Sequence, residues 1–218
     1  VEEQIKCVIF DCEGTLIDSE TLCCQALVSV FTSYGAKLTV EECLTNFTGG
    51  KLADILASTR DRLGLQVSID ELEPLYREKL RVLFQAHLTP MPGANNLLDY
   101  LKENNIEICV VTNGPKNKLH FSLEITGLSD FFTDRMFSAF EANSWKPDPD
   151  LILYASMHMG FRPEECVYID DTPKGVAAGV AANIKTYHFR SNTLGPLVDD
   201  AKVTPVESLV EFQSYLTN

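Results

Sequence analysis

Three apolar residues, Val8, Ile9 and Phe10, run straight into Asp11, and a second carboxylate follows at Glu13, ahead of Gly14 and Thr15. An unbroken apolar run is the pattern of a parallel strand buried on both faces, and open α/β sheets bind ligands at the carboxyl ends of their strands. Two carboxylates brought to such a place need a cation or a proton acceptor, because an unpaired buried charge is costly. The pattern points to metal-assisted chemistry, with Asp11 as nucleophile or ligand. The same stretch taken alone also reads as a turn in which Asp11 caps and Glu13 is solvated, so the partners downstream decide.

Three further segments supply those partners. Thr112-Asn113-Gly114 follows an apolar strand pattern at 106–111, Trp145-Lys146-Pro147-Asp148-Pro149 precedes a helix, and Asp170-Asp171 closes a strand pattern at 166–169. Each belongs at the sheet edge that carries Asp11. Asp11, Asp170 and Asp171 together make an oxygen-rich site suited to magnesium, which takes few carboxylates, several waters and phosphate oxygens. Lys146 can hold the acidic cluster together and neutralise a phosphoryl group. Thr112 offers a hydroxyl, and backbone N–H groups near Asn113 and Gly114 can take phosphate oxygens. Asp11 is then placed to attack phosphorus and form an aspartyl-phosphate. Structural readings stand beside these: Lys146 as a surface lysine, Thr112 and Asn113 as a strand end and helix cap, Lys51 on a solvated helix start, Lys116 and Lys118 as solvent lysines. His87, His120, His158 and His188 have no partners in sequence and are expected in structural or surface roles. Trp145, Phe131 and Phe132 read as core or interface residues.

The elements that must position these residues follow from periodicity. Residues 19 to 87 are helix and loop: apolar residues fall at helical spacing from Leu22 to Phe31, over 40–47, from Leu52 to Leu63, and from Leu72 to Phe84, with Gly35 and Gly64 as stops. Strand patterns then return at 106–111, 136–140, 166–169 and 184–189, separated by helices near 94–104, 116–126, 149–159 and 174–182. A last helix is expected over 205–216. Alternating strands and helices imply a parallel sheet with right-handed crossovers. The expected architecture is an α/β, Rossmann-like parallel-sheet core made of residues 1–17 and 89–218, with a helical cap of residues 18–88 inserted after the first strand.

Composition narrows the partners. With 18 basic against 31 acidic residues the net charge is −13, which opposes nonspecific binding to nucleic acid or an anionic membrane. An anionic substrate would need lysines gathered locally. No run of 18 apolar residues is present, the opening VEEQIK is not signal-like, and the seven cysteines form no CxxC pair. A reduced, cytoplasmic protein is expected, and nothing in the sequence demands more than a monomer.

The segments DCEGT, VVTNG, WKPDP and YIDD, in this order, resemble the four motifs of the haloacid dehalogenase (HAD) superfamily, and the helical insert resembles that family's first-position cap. FTGGKL and TNGPKNK further resemble its bacterial sugar-phosphate phosphatases of the 6-phosphogluconate phosphatase type. The resemblance implies a magnesium-dependent phosphatase acting on a small phosphorylated metabolite. Asp11 would be nucleophile and metal ligand. Position 13 would give the metal its backbone carbonyl and serve as general acid, then base. Thr112 and Lys146 would hold the phosphoryl group, Asp170 and Asp171 would complete the metal site, and Lys51 would reach the substrate from the cap, with Lys116 and Lys118 as further candidates beside the pocket. Family phosphatases carry Asp where this chain has Glu13, so impaired turnover is expected. A phosphosugar mutase and a catalytically weak binding protein are the alternatives.

Overall fold

The structure, a computed structural model, describes residues 4–190 and 195–216. Strand β1 (Cys7–Asp11) lies inside a six-stranded sheet, with β2 (Glu107–Thr112) and β3 (Met136–Ser138) on one side and β4 (Cys166–Asp170), β5 (Lys185–Phe189) and β6 (Val203–Val206) on the other. All five pairings are parallel. Successive side chains of β1 point to opposite faces. Val8 and Phe10 join an apolar cluster with Leu98, Phe132 and Phe212, whereas Cys7 and Ile9 pack with Leu151, Ile152 and Ala178 on the other side. Burial on both faces is why this strand reads as an unbroken apolar run.

Four helices form the insert: α1 (Glu20–Ser33), α2 (Val40–Asn46), α3 (Leu52–Arg62) and α4 (Ile69–His87). In α4, Leu72, Tyr76, Leu80 and Phe84 recur every fourth residue and are all buried, forming one stripe on a helix that packs against α1. Helix α2 begins with a capping box in which Thr39 and Glu42 satisfy each other's backbone N–H. The two connections to the core run side by side: the Asp18 N–H donates to Thr89 O, and the Met91 N–H donates to Leu16 O. The core helices are α5 (Ala94–Glu103), α6 (Lys116–Ile125), the short α7 (Ala139–Ala142), α8 (Asp150–Met159), α9 (Pro173–Ala181) and α10 (Leu209–Ser214).

The structure departs from the periodicity reading in two places. The third strand stops at Ser138 rather than continuing to 140. Ser138 Oγ accepts from the Phe140 N–H at 3.2 Å and the Glu141 carboxylate accepts from the Ser138 N–H at 3.1 Å, which starts a helical turn. The expected helix over 205–216 begins only at Leu209, where Ser208 caps it. Val203–Val206, which includes Pro205, forms the edge strand β6 instead. Proline is tolerated on a sheet edge, but it hides a short strand from sequence reading.

Candidate active site

Asp11 is the last residue of β1. The ladders pair it with Val111 and pair Phe10 with Ile169, so Thr112 and Asp170 come next at the same edge. This edge lies at the switch point where the chain leaves β1 for one side and later returns on the other. Lys146 enters from the loop ahead of α8. Its Nζ lies 2.5 Å from Asp11 Oδ1, 2.8 Å from Asp170 Oδ2 and 3.2 Å from Tyr168 Oη. The Tyr168 hydroxyl also donates to Asp170. Asp170 Oδ1 accepts from the backbone N–H and the hydroxyl of Thr172.

Lys146 is 5% exposed and Asp170 fully buried. Burial pushes the Lys146 pKa down, yet Asp11 and Asp170 raise it well above the usual lysine range, so it stays charged. Burial, followed by the Asp170 charge, raises Asp11 to about 7 against the pull of Lys146. Burial, and then the charge of Glu20, push Asp171 well above the carboxylate range.

Residues around the cluster fix its geometry. The Asn113 side chain clamps the Lys146 backbone twice: its Oδ1 accepts from the Lys146 N–H at 2.8 Å and its Nδ2 donates to the Lys146 carbonyl at 3.2 Å. The Gly114 N–H donates to Thr112 Oγ1 at 3.0 Å, and Ser138 Oγ donates to the Gly114 carbonyl at 2.7 Å. Asn113 therefore aims Lys146 with its side chain, and both Asn113 and Gly114 line the cavity above the cluster. Thr15 Oγ1 lies 3.5 Å from Asp11 Oδ2 and 3.4 Å from Asp171 Oδ1. Buried His188 accepts from the Val198 N–H through Nδ1 at 3.4 Å, so its Nε2 is the donor to the Asp171 carbonyl at 3.2 Å. Gly14 sits at φ 79°, and a Cβ there would fall 2.0 Å from Asp171 Oδ2, so only glycine fits beside that carboxylate.

Asp11, Asp170 and Asp171 fit a divalent cation. All three are buried and offer oxygens that lie within 4.8 Å of one another. Among the described residues Asp171 Oδ2 has no hydrogen-bond partner, and Lys146 alone does not balance three carboxylates. An all-oxygen donor set is the preference of a hard ion such as magnesium.

Above the cluster lies a cavity of about 390 Å³, lined from the core by Asp11, Thr112 and Lys146 and from the insert by Lys51, Tyr76 and Arg77. Lys51 Nζ lies 4.4 Å from the centroid of the Trp145 ring, which makes Trp145 an interface residue. Cap and core meet closely here. A Cβ on Gly49, at φ 77°, would lie 2.5 Å from Thr172 Oγ1. The Glu13 side chain points into the cavity, where its Oε1 is 2.8 Å from Lys118 Nζ and its Oε2 is 3.8 Å from Cys23 Sγ.

Lys116 is not brought to this cavity. It is exposed and pairs with Glu141 at 2.8 Å. Lys118 takes the place at the pocket instead, because residues two apart on α6 point to nearly opposite sides. Sequence reasoning missed Glu20, Thr15, Tyr168 and Arg77. Tyr168 had a legible signal, since residues two apart on a strand share a face and Asp170 follows it. Glu20 and Arg77 had none, because only packing brings the first turn of α1 and the middle of α4 over the sheet edge. Burial, then the charge of Glu13, raise Glu20 to about 8.

A family model described as haloacid dehalogenase-like hydrolase matches residues 8–189. The chain is 34% identical over 201 residues to the 6-phosphogluconate phosphatase of Escherichia coli (strain K12), covering 92% of this chain and 90% of the relative. Among solved structures it is similar to a HAD family hydrolase from Deinococcus radiodurans R1 with bound phosphate and sodium, at TM-score 0.77 and 25% identity, covering 98% and 95% of the two chains. It is also similar to a putative β-phosphoglucomutase from Bacteroides vulgatus, at TM-score 0.75 and 28% identity, covering 98% and 88%.

Proposed function

The chain belongs to the haloacid dehalogenase-like hydrolase family, and from that premise we propose that it is a phosphatase of small phosphorylated sugars or sugar acids, with Asp11 as nucleophile. The observation that carries this reading is the Lys146 ammonium seated between Asp11 and Asp170, at the floor of a cavity roofed by the insert. That ammonium holds the nucleophile's carboxylate in place and faces any phosphoryl group that enters.

Asp11, Asp170, Asp171 and the Glu13 carbonyl would hold a magnesium ion. When bound, the ion supplies positive charge to the phosphoryl oxygens. The Thr112 hydroxyl and Lys146 orient the same group. An Asp11 carboxylate oxygen forms a bond to phosphorus as the ester P–O bond breaks, and the leaving alcohol takes a proton from Glu13. Water then attacks the aspartyl-phosphate and gives its proton back to Glu13, and the P–O bond to Asp11 breaks to release phosphate. The insert excludes bulk water during both steps.

Two observations support a substrate with a second anionic group. Among the described residues no carboxylate pairs with Lys51, which stands on the cavity wall over Trp145. The E. coli relative is a 6-phosphogluconate phosphatase by name, and that substrate carries a carboxylate besides its phosphate. The test is phosphate release from a panel of phosphorylated sugars and sugar acids, with magnesium and with EDTA. Release that needs magnesium and is fastest for sugar-acid phosphates is expected. Faster release from simple monophosphates would sink the sugar-acid assignment. A mutase, the reading favoured by the likeness to the B. vulgatus protein, would isomerise a sugar phosphate without net phosphate release.

A further inference from the structure

Among the described residues, two carboxylate oxygens at the junction of cap and core lack any hydrogen-bond partner: Glu20 Oε2 and Asp171 Oδ2. Glu20 is 2% exposed and Asp171 3%. Both border the same place, since a Cβ on Gly14 would fall 2.0 Å from Asp171 Oδ2 and 2.8 Å from Glu20 Cγ. The other Glu20 oxygen accepts from the Ser19 hydroxyl, at 3.4 Å. The cations nearby are engaged elsewhere: Lys118 by Glu13, and Lys146 by Asp11 and Asp170. A buried carboxylate with an open oxygen is costly unless something donates to it.

We propose that Glu20 is a positioning residue for the divalent cation held by Asp11, Asp170 and Asp171, accepting a hydrogen bond from a water of that cation's hydration shell. It lies outside the three residues whose oxygens cluster within 4.8 Å, so it acts through water rather than by direct ligation. Magnesium keeps several of its waters, and the groups that orient such waters strongly influence affinity. Glu20 is also the first residue of α1, so this contact ties the first turn of the insert to the metal bound by the core. The inference rests on the magnesium-dependent reading above.

The test is thermal unfolding of the full chain over a magnesium titration from EDTA upward, for the protein and for Glu20→Gln and Glu20→Asp. The unmodified chain is expected to show a saturable rise in Tm. Glu20→Gln, which removes one buried ionisable group, is expected to have a higher Tm in EDTA and to need about 10–100-fold more magnesium for half its shift. Glu20→Asp, which keeps the charge on a shorter arm, is expected to fall between. A merely structural role would move Tm in EDTA but leave the magnesium midpoint where it was. Superimposable midpoints for all three chains would overturn the Glu20 assignment and leave the phosphatase reading intact. No magnesium shift in the unmodified chain would overturn both.

Discussion

Replacing Glu13 by Asp should speed phosphate release. The longer side chain carries its carboxylate about 1.5 Å further from the backbone than Asp would, one C–C bond, and the structure places it against Lys118 at 2.8 Å with Cys23 on its other side. A general acid must stand within hydrogen-bond reach of the leaving oxygen, and a misplacement of about 1 Å costs on the order of 100-fold in rate. That factor corresponds to about 2.7 kcal/mol in the barrier. Stability should change little. The Lys118 and Glu13 side chains are 24% and 27% exposed, and such a pair contributes about 1 kcal/mol or less, or roughly 2–4 °C in Tm for a chain of this size. Steady-state phosphate release at saturating magnesium, with Tm measured alongside, separates the two effects. The expected result is a kcat about 10–100-fold higher for Glu13→Asp, with Tm within those few degrees. An unchanged or lower kcat in a variant of unchanged Tm would refute the reasoning, because Glu13 would then already be in working position.

Lys146→Met should abolish turnover and leave Asp11 and Asp170 buried without their cation, at a cost of about 3–5 kcal/mol in EDTA; denaturant unfolding measures the loss, and added magnesium should restore part of it. Asn113→Ala removes both hydrogen bonds to the Lys146 backbone, at about 1–3 kcal/mol, and should lower kcat more than it changes KM; an unaltered kcat would mean that Lys146 is aimed by other contacts. Lys116→Ala should leave turnover unaltered, because its partner is Glu141 outside the cavity; a kinetic defect would return it to the site. Without metal, stability should fall as pH rises from about 4 to about 8. Asp11 at about 7 and Glu20 at about 8 keep protons that the unfolded chain, with carboxyl pKa values of about 4, has already released. Asp171 adds in the same direction, His188, lowered by burial, opposes as one group, and the raised Lys146 matters only above pH about 10. A Tm in EDTA that climbs between pH 5 and 8 would contradict this assignment.

By itself the sequence determined which polar residues end which strands and meet at one sheet edge. Val8 to Phe10, Ile108 to Val111 and Cys166 to Ile169 are buried on both faces, so each strand announces itself as an apolar run, and the polar residue that ends it can only lie at the sheet edge. The insert was equally legible, because amphipathic helices repeat at a period that strands cannot. What a short polar segment does after the edge was not. Asn113 follows Thr112 in sequence, but only the approach of the 145–149 loop turns its side chain onto the Lys146 backbone. Lys116 and Lys118 look alike in sequence, and the direction in which α6 packs sends one to Glu141 and the other to Glu13. Edge strand β6 is four residues with a proline, and the sheet, not its own pattern, makes it a strand. Glu20 looks like an ordinary acidic start to a helix; only the folding of α1 against the β1 turn buries it beside Asp171. Local periodicity encodes elements and their ends, whereas the partner of a charged side chain depends on which elements meet, and that is decided by packing over the whole chain.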